Sequence, residues 1–438
     1  MIETIERILQ TIPEVAGYRI VAKTVHSVEV FFVRKQLDMN RAKTVQHFLV
    51  TIYRDFTEAG MRYRGSASIR IHPTMSETGL RTALEETTFA AGLVKNPHYP
   101  LVKPASVRAG IASNFHQQPL SDWLAPLTAA IFQNDRQRQG WINSAELFLK
   151  RIETRIVNSE AVQLQTVSYQ AELELITNWR EGRAEVELYR ELRFASFEPE
   201  LIAANVQEML AYSREKALAQ PLPELEKFPV LLTGEPVRDF LGYYTVQTSA
   251  QSVYEGLSTF KIGNNVQGES PQGDRINLRL DPTLVHSTES MPFDEDGLPL
   301  EPVEVIRDGQ LLRYWGDQQY AFYLNLPPTG KIINQVFGGG TLTIDELRQE
   351  PYLELVAFSD FQMNPITGDF GGEIRLGWYH DGSQTVAVAG GAVSGNIRDV
   401  QPNMFFSREL QTLNQFIGPK TIKFANLAVT GASQRGTE

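Results

Sequence analysis

Between residues 170 and 194 the chain alternates with a period of two, and few local structures accept that pattern. Ala171, Leu173 and Leu175 fall on one side of an extended backbone, with Glu172 and Glu174 on the other. After a turn at residues 178–183, Val186, Leu188, Leu192 and Phe194 repeat the arrangement. Strands written this way bury one face and wet the other, so they read as an antiparallel meander over an apolar layer. Ala145–Val157 predicts a further strand. Upstream, Tyr18–Thr24, Ser27–Arg34, His47–Phe56 and Arg62–His72 are rich in Val, Ile, Phe and Tyr and read as extended.

Helical spacing fills the gaps between these runs. Ile2, Ile5, Ile8 and Leu9 share one face of a helix over residues 2–12. Leu80, Leu84, Thr87 and Ala91 predict a second over Ser76–Val94, with Ser76 as its N-cap. A Pro-rich loop at Asn96–Pro104 leads to a third near Leu120–Asn134, and Pro199 opens a fourth over Pro199–Ala219. Gln220–Pro229 holds three prolines in ten residues and reads as a linker. The expected division is therefore an N-terminal α/β region at 1–220, with subdivisions at 1–135 and 136–220, and a β-rich domain at 221–438.

In the second part, Val230–Leu232 predicts a short strand and Pro236–Gly256 a helix. Short β runs follow from Arg275 onward. Asp308-Gly309 within Val303–Tyr314 and Asp381-Gly382 within Ile374–Val388 predict hairpins with type I′ turns. Thr421–Val429 predicts a final strand. The fold class is α+β: an N-terminal α/β region followed by a barrel- or sandwich-like β domain.

Composition removes several chemistries. Among the 438 residues there is no cysteine, so disulfides, Cys-ligated metals and thiol nucleophiles are excluded. With 41 basic against 52 acidic side chains, the net charge of −11 argues against nucleic-acid binding. The first residues do not read as a signal peptide, and no apolar run is long enough to span a membrane. A cytoplasmic location is expected. No two of the seven histidines lie three, four or five residues apart, so no local metal motif exists. Ser287 and Ser290 near His286 do not make a nucleophile elbow. Gly338, Gly339 and Gly340 lack the Lys-Ser/Thr of a phosphate loop and read as a bulge or a close approach of backbone to a ligand. Residues 293–297, with Asp294, Glu295 and Asp296, read as a solvated turn and not as a calcium loop. Asn364–Phe370 predicts a sharply constrained loop.

Four stretches, taken together, resemble the TldD/PmbA family. Residues 291–299 (Met-Pro-Phe-Asp-Glu-Asp-Gly-Leu-Pro) are similar to its Ser-Pro-Phe-Asp-Asp-Glu-Gly-Val-Pro segment. Ile306–Tyr314 resembles its Asp/Asn-Gly hairpin, Asn364–Phe370 its Asn-Pro-x-Thr-Gly-Asp-Phe loop, and Ala392–Asn396 its Thr-Ile-Ala-Gly-Asn segment. Order and spacing fit over about residues 225–431. The resemblance implies two protomers paired around a cavity. TldD-type members carry His-Glu-x-x-x-His on a helix and a downstream cysteine, which hold zinc. PmbA/TldE-type members lack those ligands and partner the peptidase. The counterpart of the metal helix falls near Thr248–Leu257, yet no histidine occurs between His116 and His286. Glu255 lies in that window and reads as a surface helix position.

The resemblance thus implies a non-catalytic, TldE-like subunit, a homodimer or a heterodimer with a TldD-like metallopeptidase, acting on unfolded peptides. No catalytic residue, metal or cofactor is assigned to the chain itself. Candidate cavity residues are Asn364, Thr367, Gly368, Asp369, Gly395, Asn396, Gly338, Gly339 and Gly340. The alternatives are a homodimeric peptide- or small-molecule-binding protein without a protease partner, and a glycoside hydrolase working through carboxylates alone.

Overall fold

The computed structural model describes residues 1–108, 110 and 113–432. Its first part contains α1 (Ile2–Leu9), β1 (Gly17–Val33), β2 (Gln36–Glu58), β3 (Met61–Ile71), α2 (Glu77–Ala91), α3 (Leu124–Phe132), β4 (Gly140–Asn158), β5 (Gln163–Glu181), β6 (Ala184–Phe194) and α4 (Pro199–Leu218). The strands form one sheet in the order β3-β2-β1-β4-β5-β6, and every neighbouring pair is antiparallel. Strand–strand–strand–helix therefore occurs twice, with β1 and β4 meeting at the centre. Tyr18–Thr24 and Ser27–Arg34 are a single 17-residue strand, since no breaker interrupts them. Ser76 caps α2 as expected, accepting from the Gly79 amide at 3.1 Å.

One face of this sheet carries the helices. Ile20 and Ala22 of β1 pack with Ile5, Leu80 and Leu84 of α1 and α2. Val30 and Phe32, of the same parity, pack with Leu127 of α3 and Val206 of α4. Odd-numbered Val21 points to the opposite face, where it meets Ile156 and Phe293. Parity alone thus assigns one face to the helices and the other to the second half of the chain.

That second half contains β7 (Gln220–Pro221), β8 (Glu226–Thr233), α5 (Glu235–Gln247), α6 (Ala250–Tyr254), β9 (Leu278–Leu280), β10 (Val303–Arg307), β11 (Gln310–Leu311), α7 (Gln318–Tyr323), β12 (Gln335–Phe337) and α8 (Ile344–Leu347). It continues with β13 (Tyr352–Met363), β14 (Asp369–His380), β15 (Thr385–Ala389), β16 (Ala392–Asn396), α9 (Ile397–Val400), β17 (Met404–Phe406), β18 (Leu410–Leu413), β19 (Phe416–Pro419) and β20 (Thr421–Thr430). Pairing runs β13-β8-β20-β16-β14 and returns from β14 to β13, which closes a barrel. Register shifts in β13 and β20 supply the bends that closure needs. A second sheet runs β11-β10-β9-β12-β19-β18. Helix α5 packs against the barrel, with the Phe240 ring 5.1 Å from both Phe370 and Phe424.

Several expectations are corrected. The linker at Gln220–Pro229 is knit into sheet: β7 pairs with β15, and Glu226 already belongs to β8. Pro229 is tolerated because it faces the register shift between Phe424 and Leu427 of β20. The helix expected over Pro236–Gly256 breaks at Thr248, whose hydroxyl bonds back to the Tyr244 carbonyl at 2.8 Å, and Ser249 caps the new helix α6. Asp308 and Gly309 form the expected two-residue turn, at φ of 47° and 79°. Asp381-Gly382 instead belongs to a four-residue loop, because His380 pairs with Thr385. The Asp381 carboxylate accepts from the Ser383 and Gln384 amides, which holds its pKa at about 2.

The turn at 293–297 is solvated at Glu295 but not throughout. Phe293 and Asp294 are buried, and Asp294 accepts from the amides of Asp296 (2.9 Å), Leu298 (3.0 Å) and Lys331 (3.2 Å). Burial pushes the Asp294 carboxyl above its usual range, against those amides. Asp296 forms an ion pair with Arg19 of β1. This loop is therefore one of the points at which the second half docks on the first sheet. Among the described residues no helix is long and apolar enough to cross a membrane.

Candidate functional site

The loop between β13 and β14 is built by its own side chains. Asn364 Oδ1 accepts from the Ile366 and Thr367 amides at 2.9 and 3.1 Å, which closes the turn over Pro365. Gly368 takes a φ of 83°, and a Cβ there would lie 2.8 Å from Ile397 Cγ2, so only glycine fits. Thr367 Oγ1 accepts from the Asp369 amide at 3.3 Å. Bonds from Asn396 and Thr367, with the charge of Arg398 behind them, hold the Asp369 carboxyl below its ordinary range.

Residues 392–398 lock onto that loop. Asp369 pairs with Asn396 and Phe370 with Gly395 in the β14–β16 ladder. Asn396 Nδ2 donates to Asp369 Oδ1 at 2.8 Å and to the Thr367 carbonyl at 3.1 Å, while its Oδ1 accepts from the Arg398 amide at 3.0 Å. A Cβ on Gly395 would sit 2.7 Å from the Phe370 ring. Asn364, Thr367, Gly368, Asp369, Gly395 and Asn396 are thus one assembly, polar outward and anchored inward by Phe370. Asp360, Met363, Asn364, Asp369 and Gly371 border an open concavity of about 680 Å³ beside it.

A buried residue that sequence reading passed over joins this assembly to the α5–α6 corner. Gln247 Nε2 donates to the Pro365 carbonyl at 2.6 Å and to the Leu257 carbonyl at 3.2 Å. Nothing in its local pattern distinguishes it from a surface glutamine. Tyr243, Lys261, Arg398 and Gln401 line a neighbouring cleft of about 230 Å³. The corner also holds the Thr248–Leu257 window singled out in the sequence. Its carboxylate, Glu255, is exposed and accepts from Tyr320 Oη at 2.9 Å and Gln251 Nε2 at 3.1 Å. Burial and this carboxylate push the Tyr320 hydroxyl up. With no histidine between 116 and 286 and no cysteine in the sequence, the donors here do not fit a zinc ion. Among the described residues no three His, Cys, Asp or Glu side chains converge as a metal site would require.

Gly338, Gly339 and Gly340 lie elsewhere, Gly338 against Asn277 and the other two against β17 and the segment after it. A Cβ on Gly340 would meet the Phe406 carbonyl at 2.1 Å, and one on Gly339 the Ser407 carbonyl at 3.0 Å. The Gly340 amide donates to the Ser407 carbonyl at 3.1 Å. The close approach these glycines permit is to the chain's own backbone. His286 Nδ1 lies 2.7 Å from Glu198 Oε1, a contact between the two halves.

Comparison with known proteins bears on these features. Residues 225–431 match the model of the PmbA/TldA metallopeptidase C-terminal domain. The chain is similar to metalloprotease PmbA of Escherichia coli O157:H7, 26% identical over 183 residues, which cover 41% of this chain and 40% of that protein. It is also similar to a zinc metalloprotease TldD homolog of Saccharolobus solfataricus, 27% identical over 165 residues, covering 36% and 35%. The chain thus aligns with less than half the length of these curated relatives. In three dimensions, TldE from Thermococcus kodakarensis superposes with a TM-score of 0.77 at 14% identity, over 98% of this chain and 100% of that one, and so shares the fold.

Proposed function

We propose that the chain is a member of the PmbA/TldD metallopeptidase-related family, to whose C-terminal domain residues 225–431 are similar, and that it is the TldE-like subunit that lacks the metal and works beside a TldD-type metallopeptidase on unfolded peptides. One observation carries this reading. At the counterpart of the metal helix, the chain offers a single exposed carboxylate, Glu255, and a tyrosine already bonded to it. Zinc hydrolases need three protein ligands and an open position for water, and neither histidine nor cysteine is at hand.

The chain's own residues then build walls and bind. The 364–370 loop and residues 392–396 form a rigid surface whose outward groups are amide, hydroxyl and carboxylate. Such a surface positions a peptide without attacking it. Purification of the untagged protein from its own cell tests the proposal. A TldD-type chain should accompany it in equal amount, and peptide hydrolysis should follow the complex. A self-sufficient homodimer with no such chain would favour a binding protein without a protease partner.

A further inference from the structure

Among the described residues the first sheet ends at β6, with no strand on its far side. Two contacts show which backbone groups face outward there. The Glu187 carbonyl accepts from Lys216 Nζ at 2.9 Å, and the Ala195 amide donates to the His286 carbonyl at 2.9 Å. Along an antiparallel strand, the N–H and C=O of one residue point the same way, and the direction alternates. Tyr189, Glu191 and Arg193 share the parity of Glu187 and Ala195. Their amides and carbonyls therefore also turn away from β5. Among the described residues, no hydrogen bond outside the β5–β6 ladder reaches the backbone of these three.

This edge is one wall of a groove. Two cavities of about 500 and 570 Å³ run along it and share Tyr189, Leu201, Glu235 and Leu413, so they adjoin. Leu201 comes from α4, Glu235 from α5 and Leu413 from β18, which face β6 from the flanks. Three large apolar side chains line the groove and stay open to solvent: Tyr189 (59% exposed), Leu201 (44%) and Leu410 (53%). The charges are lopsided as well. Arg190, Arg193 and Arg238 are tied to Glu208, Glu191 and Asp239. Among the described residues, Glu235 and Asp360 have no cationic partner, against the one unpaired ammonium of Lys420.

We propose that this groove takes an extended peptide segment as an added strand on β6. Unpaired donors and acceptors on one edge specify an extended backbone. The exposed Tyr189, Leu201 and Leu410 specify apolar side chains at alternate positions, and the free carboxylates specify cationic ones between them. A groove of this volume, walled on both flanks, admits one chain and excludes the sheet edge of a second folded copy. The inference rests on the peptide-handling role proposed above. It places that contact on the first sheet, at residues the family motifs do not include.

The test uses the full chain alone and a short fluorescein-labelled peptide of alternating valine and lysine, read by anisotropy. The peptide is expected to bind. Of two versions N-methylated on alternate amides, one should bind about tenfold more weakly and the other as the parent does, because only one set faces the edge. Glu191→Pro, which removes an outward amide and spares the ladder, should weaken binding about as much, whereas Glu191→Ala should not. No binding, or equal binding of both N-methylated versions, overturns the proposal even if Glu191→Pro fails to fold. The assay needs neither metal nor partner. Absence of a copurifying TldD-type chain would count against the proposed function while leaving this result intact, and the converse also holds.

Discussion

Asn396 Nδ2 donates to Asp369 Oδ1 at 2.8 Å, and the same two residues face each other in the β14–β16 ladder. Two motifs that the sequence separates are therefore a single structural unit. Its outer groups are held by Asn364 and Asn396, and its inner end by Phe370 among Phe240 and Phe424.

Replacing Asn396 should loosen both motifs at once. Asn396→Ala removes the bonds to Asp369 and Thr367 and the cap on the Arg398 amide. Loss of the cap alone costs about 1 kcal/mol. A lowered urea midpoint is expected, with an unchanged slope. Asn396→Asp sets two carboxylates side by side and should lower the midpoint further at neutral pH than at pH 4.

Glycine substitutions should separate by their surroundings. Gly340→Ala places a Cβ 2.1 Å from the Phe406 carbonyl and should cost more than about 2 kcal/mol. Gly242→Ala, inside α5 with nothing within 4 Å of its Cβ, should stabilise by about 0.5–1 kcal/mol. Equal effects on thermal unfolding would contradict the packing described for Gly340.

Acid should weaken the first sheet in two stages. Arg64 grips Asp55 through Nε (2.7 Å) and Nη2 (2.9 Å), and its Nη1 reaches the Tyr99 carbonyl at 2.7 Å. Burial would raise the Asp55 carboxyl, but Arg64, His98 and Arg62 outweigh it and hold it below its ordinary range. Burial, then the charge of Arg64, lowers His98, whose Nε2 lies 3.2 Å from Asp55 Oδ2. Both groups bind protons more tightly in the unfolded chain, so stability falls as pH falls. The His98 share should go first, below about pH 6.5, and the Asp55 share below about pH 4. Arg64→Ala should cost about 3 kcal/mol at pH 7 and flatten the lower stage of the stability profile.

Asp294 should behave as a structural residue. Asp294→Ala leaves three amides without their acceptor and should cost about 2–4 kcal/mol. Because Phe293 beside it packs on Val21 and Ile156, hydrogen exchange should also quicken in β1 and β4. An unaltered denaturation midpoint would show that the loop is no anchor.

The meander of β4, β5 and β6, the Ser76 cap of α2, the start of α4 at Pro199, and the Asp308-Gly309 turn were legible because each rests on neighbouring residues. Alternation, an N-cap serine and a positive-φ pair are local signals. What escaped was tertiary. Asp294 reads as a solvated acid until Phe293 beside it docks on Val21. The prolines of 220–229 read as a linker until Pro229 meets the register shift in β20. The helix break at Thr248 turns on one hydroxyl bond, and Gln247 matters only because Pro365 folds over it. The candidate residues at 364–369 and 395–396 were reached through the motif resemblance, and their union through Asn396 became visible only in three dimensions. The glycines at 338–340 read as a bulge or a close approach to a ligand until Asn277 and β17 are placed beside them.

The proposed role is that of a subunit which acts beside a metallopeptidase without holding the metal itself. Zinc analysis together with a peptidase assay, on the isolated chain and on the complex purified from its own cell, tests it most directly. Far less than one zinc per chain and no hydrolysis are expected for the isolated protein, with zinc and metal-dependent activity appearing alongside a TldD-type partner. Stoichiometric zinc and chelator-sensitive hydrolysis by the isolated chain would contradict it.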